Sequence, residues 1–126
     1  MLKLLLLGVT VSVVPVRDYG QWDESRQEVR RWYQTLMQPD EPFKSCCGEA
    51  DAYEADEFEV AGDQYVAIIT NGAGDERFGK PDIPNGTKIV VPNTKVKWDR
   101  GNPTGHGIIF IGKANQVYCY ITPSGT

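Results

Sequence analysis

The chain has 126 residues, of which 40% are hydrophobic and 24% charged, and it carries a formal charge of -4. That length supports one modest core and is too short for two. The composition is that of a folded protein and not a disordered one, and the acidic balance, with no cluster of Lys and Arg, argues against a nucleic-acid partner.

Met1-Leu2-Lys3 followed by an apolar run from Leu4 to Val16 has the positive start and greasy centre of a secretory signal peptide. Residues 1–17 are therefore expected to be a signal peptide or N-terminal anchor, and residues 18–126 a single α+β domain. The apolar run falls short of the about 20 residues that cross a bilayer, so no integral membrane span is expected. No Ala-x-Ala cleavage site follows, the best small-residue pair being Thr10 and Ser12, and Val9 to Val14 also reads as a first strand. The expected destination is periplasmic or extracellular.

After a linker at Arg17 to Gly20, Ser25-Arg26-Gln27-Glu28 has the spacing of a capping box. Val29, Trp32, Tyr33 and Leu36 then recur at i, i+3, i+4 and i+7, which predicts a helix over about residues 24–38 with Arg30, Arg31 and Gln34 turned away. Pro39 ends it, and Pro42 keeps the next segment extended.

Cys46 and Cys47 are adjacent, and a bridge between neighbours strains both the peptide plane and the disulfide dihedral. The remaining cysteine, Cys119, lies in the alternating run Val117 to Ile121, which predicts a sulfur on an inward face with Val117 and Ile121 while Tyr118 and Tyr120 point the other way. A disulfide from Cys46 or Cys47 to Cys119 is expected, with the choice between the two open. One thiol is then left over, or bonded to another chain.

Glu49, Asp51, Glu54, Asp56, Glu57 and Glu59 follow without a basic residue among them, and read as a solvated face. Their spacing is not that of an EF-hand loop. Phe58 and Val60 alternate with Glu57 and Glu59, Gly62-Asp63 supply a turn, and Tyr65 to Thr70 return as a buried strand. Asn71 to Gly86 reads as a long surface loop. Two short strands are expected at Thr87 to Val91 and Thr94 to Trp98, with Val96 and Trp98 inward and Lys95 and Lys97 in water. Asp99 to Gly105 is a second loop, and His106 to Gly112 with Gln116 to Thr122 form a closing hairpin turned near Lys113-Ala114-Asn115.

This order predicts an α+β fold: one N-terminal helix packed on a small, strongly bent antiparallel sheet or partial barrel of about five to six short strands. No helical pattern separates the strands, which argues against βαβ units, and no phosphate-binding glycine loop, His-Glu-x-x-His or Gly-x-Ser-x-Gly is present.

A cysteine early in the chain and a histidine at the start of a later strand resembles the order in NlpC/P60 cell-wall hydrolases and related papain-like enzymes. That resemblance implies Cys47, or less plausibly Cys46, as nucleophile and His106 as general base on peptide amides. Against it, carboxylates follow Cys47, and the polar third member falls where this chain has Tyr118 and Cys119. A zinc site from Cys46, Cys47, Cys119 and His106 lacks Cys-x-x-Cys spacing, so no metal and no other cofactor is expected.

Tyr19-Gly20-Gln21-Trp22, Ser45-Cys46-Cys47-Gly48-Glu49-Ala50-Asp51-Ala52-Tyr53, Asn102-Pro103-Thr104-Gly105-His106-Gly107 and Val117-Tyr118-Cys119-Tyr120 together resemble a family of short exported bacterial proteins of uncharacterised activity. The resemblance spans nearly all of the chain beyond residue 18 and implies export to the periplasm or cell surface. The function expected is that of a non-catalytic, disulfide-stabilised module that uses aromatics such as Trp22 and Tyr118 to contact a partner protein or envelope polymer. A cysteine hydrolase is the alternative, and an accessory subunit of an envelope or phage-related assembly is a third.

Overall fold

The computed structural model describes residues 27–47 and 50–123. The expected signal segment, the capping residue Ser25 and Trp22 lie outside them. Within them one α-helix, α1 (Gln27–Thr35), precedes nine strands: β1 (Met37–Gln38), β2 (Glu41–Ser45), β3 (Asp51–Glu54), β4 (Glu57–Ala61), β5 (Gln64–Ile68), β6 (Lys88–Val91), β7 (Val96–Lys97), β8 (Ile108–Ile111) and β9 (Val117–Ile121). They form a β1-β2 ribbon, a central sheet ordered β3-β8-β9-β7 and an outer sheet ordered β4-β5-β6. The class is α+β, as expected. The strands are more numerous and shorter, and they stay open instead of closing a barrel.

The central sheet is covered on both faces. On one side Val29 and Tyr33 of α1, with Leu36 just past its end, pack with Cys46, Cys47, Ala52, Ile108, Phe110, Cys119 and Ile121. On the other, Tyr53, Ile109, Ile111, Val117 and Tyr120 meet Ala67, Ile69 and Val91, with Phe58, Tyr65 and Ile89 half-buried alongside. Double coverage explains why Ile108 to Ile111 is an unbroken apolar run: every residue of β8 is buried. It also corrects the reading of the last strand. Tyr120 does point away from Cys119, but into a second apolar layer, where it is completely buried and its hydroxyl donates to the Ala55 carbonyl at 2.8 Å. A register shift between Phe110 and Ile111 moves Val117 to that layer as well.

Cys46 is the residue bonded to Cys119, with Cα atoms 5.4 Å apart across 73 positions of sequence. A loop of that size corresponds to about 4 kcal/mol in the chain-entropy model. The bond joins the end of the β1-β2 ribbon to the centre of the main sheet, beneath α1.

Several expectations are corrected. The helix ends at Thr35 instead of 38, because Leu36 gives its carbonyl to Cys46 N and Met37 and Gln38 pair with β2 around a Pro39-Asp40 turn. The segment after Pro42 is thus a hairpin arm. The predicted strand from Thr94 shrinks to Val96–Lys97, the residues before it forming a 3₁₀ turn, and it pairs parallel to β9, so the sheet is not wholly antiparallel. Strand alternation therefore fails there. Lys95 is drawn in, its Nζ donating to Gln38 Oε1 at 2.7 Å and Asp40 Oδ1 at 2.9 Å, while Trp98 is 56% exposed. Val60, expected inward, is likewise exposed at the end of its strand.

The two predicted hairpins form. β4 and β5 meet in register around Gly62-Asp63, with Gly62 at φ 64°, the positive value that a primed two-residue turn needs at its first position. β8 and β9 are joined through a Lys113–Asn115 turn in which Ala114 and Asn115 take positive φ.

Candidate functional site

Between β3 and β4 the chain leaves the central sheet for the outer one, turning through Ala55 and Asp56. Ala55 N donates to Gly107 O at 2.7 Å, an approach so close that a side chain at Gly107 would lie 2.2 Å from Ala55 O. Only glycine fits there. The consequence is that His106, one residue earlier, is brought against Asp56.

His106 Nδ1 lies 3.0 Å from Asp56 Oδ2 and 3.1 Å from Oδ1, with Glu54 Oε1 at 3.8 Å. All three side chains are a little over one-third exposed. Asp56 Oδ1 also accepts from Gly107 N at 2.9 Å, and the Asp56 amide donates to Thr70 Oγ1 at 3.1 Å. The Asp56 residue is therefore held at both its backbone and Oδ1, and both carboxylate oxygens face the imidazole.

The Asn102-Pro103-Thr104-Gly105 loop fixes His106 from the other side. Asn102 Nδ2 donates to the His106 carbonyl at 2.7 Å, Asn102 Oδ1 accepts from Thr104 N and Oγ1, and Thr104 Oγ1 accepts from His106 N at 3.0 Å. Asn and Thr are suited to this because their short side chains bond to nearby backbone. The segment serves as a cradle for the histidine.

A cleft of about 200 Å³ adjoins Glu54, lined also by Tyr33, Tyr53, Asn71, Lys80 and Ile108 among others. Lys80 Nζ sits 4.7 Å from the centre of the Tyr53 ring, whose hydroxyl donates to the Pro81 carbonyl at 2.7 Å. Burial lowers the Lys80 ammonium pKa, and the nearby carboxylates of Asp51, Asp75 and Glu54 oppose that shift.

Glu54 and Asp56 are thus taken out of the expected solvated face and placed beside the histidine, and Asp51 is buried. Cys46 is committed to its disulfide. Cys47 is 1% exposed beneath α1, and its Sγ donates to the Tyr33 carbonyl at 3.2 Å. Cys47 hydrogen-bonds Tyr33 and Ser45, whereas His106 contacts Glu54, Asp56 and the 102–104 loop. Tyr118, expected to be an exposed contact residue, is half-buried against the helix-side layer, and its ring closes over Gly112.

Among the described residues the group able to hold a metal ion is Glu54, Asp56 and His106. Sequence reasoning sought a partner for the histidine after it, at residues 118 and 119. The partner comes instead from 50 residues earlier. The only prior signal was a carboxylate pair, Glu54 and Asp56, flanking one alanine at the end of a strand. Comparison with family models, with curated proteins and with solved structures returned no match.

Proposed function

We propose that the chain works outside the cytoplasm as a non-catalytic, disulfide-tied module that binds a partner protein or an envelope polymer. The observation that carries this reading is the bond between Cys46 and Cys119, a kind of linkage that persists in oxidising compartments. The apolar segment from Leu4 to Val16 supports the same destination. Exposed apolar side chains give it contact groups: Phe43 on β2 is 98% exposed, and Trp98 lies open beside Tyr65. Tyr118, half-buried, adds to the aromatic set, and Trp22 would add to it from outside the described residues. The same side chains would serve a subunit of an envelope or phage-related assembly.

Intact mass of the protein recovered from its own cells is the test. Alkylation of the unfolded, unreduced chain is expected to modify one thiol, and reduction first should expose all three. Three modified thiols without reduction, or recovery of the chain in the cytoplasmic fraction, would overturn the reading.

The Asp56–His106 pair favours the cysteine-hydrolase alternative, because a carboxylate on Nδ1 leaves Nε2 to act as a base. Burial of Cys47 opposes it, since a nucleophile must reach its substrate. New amine ends released from cell-wall peptide by the native protein and not by Cys47→Ala would establish the alternative.

A further inference from the structure

The Glu54, Asp56 and His106 side chains come from the end of β3, the corner after it and the approach to β8, segments that only the fold brings together. Each offers one ligand atom, and these atoms all lie within 4.8 Å of one another. In a tetrahedral site with metal–ligand bonds of about 2.0–2.1 Å, ligand atoms stand roughly 3.3–3.4 Å apart. The observed separations from Nδ1, 3.0 Å to Asp56 Oδ2 and 3.8 Å to Glu54 Oε1, bracket that spacing.

The groups behind the ligands are in place as well. Gly107 N donates to Asp56 Oδ1 and so fixes the carboxylate, both of whose oxygens lie near Nδ1, while Asn102 and Thr104 hold both backbone groups of His106. Such outer partners orient metal ligands and are part of what distinguishes a prepared site from a chance ion pair. Glu54 also lines the cleft shared with Tyr33, Tyr53, Asn71 and Lys80, so there is open space beside that ligand.

We propose that Glu54, Asp56 and His106 form a divalent metal site of the zinc class, with two carboxylate oxygens and one imidazole nitrogen as protein ligands and the remaining position open. The mixed oxygen and nitrogen set suits zinc and its first-row neighbours better than calcium or magnesium, which favour oxygen alone. The ion would take the place of the proton between Nδ1 and Asp56, and it would neutralise two negative charges. This inference does not depend on export or on the disulfide.

The test uses the untagged, oxidised full chain, whose single histidine makes its imidazole signal unambiguous. Titration with Zn²⁺ by calorimetry is expected to give one saturable site, accompanied by a shift of the His106 Nδ1 resonance in ¹⁵N NMR. Glu54→Gln should weaken binding by about tenfold or more. The melting temperature of the metal-free Glu54→Gln protein should stay where it is, since the His106–Asp56 bond survives the change; Asp63→Asn, in the turn at the other end of the β4-β5 hairpin, should bind as the parent does. No saturable binding up to about 1 mM Zn²⁺, saturation that leaves the imidazole resonance unmoved, or equal affinity in Glu54→Gln would each overturn the site.

Discussion

The two faces of the central sheet are built from the same strands and yet are secured in different ways. On one face a nine-residue helix lies over β3, β8 and β9, and a covalent bond joins that layer to the β1-β2 ribbon. On the other face a three-stranded sheet packs with Phe58, Ala67, Ile69, Ile89 and Val91, and no cysteine is present. The helix contributes two buried residues, Val29 and Tyr33. The disulfide is found on the face covered by the short helix, where limiting the unfolded chain adds to what packing supplies.

The largest effect expected is that of removing the bond. Cys46→Ala with Cys119→Ala should cost about 4 kcal/mol by urea unfolding, and hydrogen exchange should then quicken in α1 and the ribbon before it does in β4 to β6. Equal quickening on both faces would remove the contrast drawn here. On the sheet side Ile69, 1% exposed, is the comparable anchor. Ile69→Ala should cost about 3 kcal/mol, with the disulfide still forming, as measured by thiol counting.

Tyr120 joins the two regimes, since it sits in the sheet-side layer but hydrogen-bonds the corner that positions Asp56. Tyr120→Phe should cost about 1 kcal/mol near neutral pH. Burial, and then the Asp56 charge, push the Tyr120 pKa above its ordinary 10.0. A raised folded pKa contributes stability that is complete below pH 10.0 and is lost as the pH climbs toward the folded value. Absorbance titration should therefore show one of the six tyrosines ionising only with unfolding, and Tyr120→Phe should flatten the alkaline loss.

The smallest effect belongs to the ribbon. The hydrogen bond from Lys95 holds the Asp40 carboxyl below its ordinary 3.8, so this contact is present above that pH and lost as the pH falls beneath it. Lys95→Met should flatten the acid limb of the stability curve below about pH 4 and leave the neutral plateau little changed.

Much of this architecture is legible in the residues themselves. Apolar spacing from Val29 to Leu36 marks the helix, Gly62-Asp63 marks a hairpin, and the impossibility of an easy Cys46–Cys47 bridge points to Cys119. Where reading fails, the cause is a partner distant in sequence. Trp98 and Lys95 were assigned by alternation to a strand that the Asn93–Lys95 turn cuts short. Tyr120 looked outward because one covered face was assumed, and a second sheet covers the other. The histidine and its carboxylates carry no local pattern linking them; their meeting depends on Gly107 letting two backbones touch.

β9 is flanked by β8 on one side and by the parallel β7 on the other, and it holds Cys119 and Tyr120. A growing chain therefore waits for β9 before either layer is sealed, and contacts of such long sequence separation form slowly. Until then the helix, the ribbon and the outer hairpin are fragments that a protease can reach. Because one strand serves both layers, neither can be completed ahead of the other.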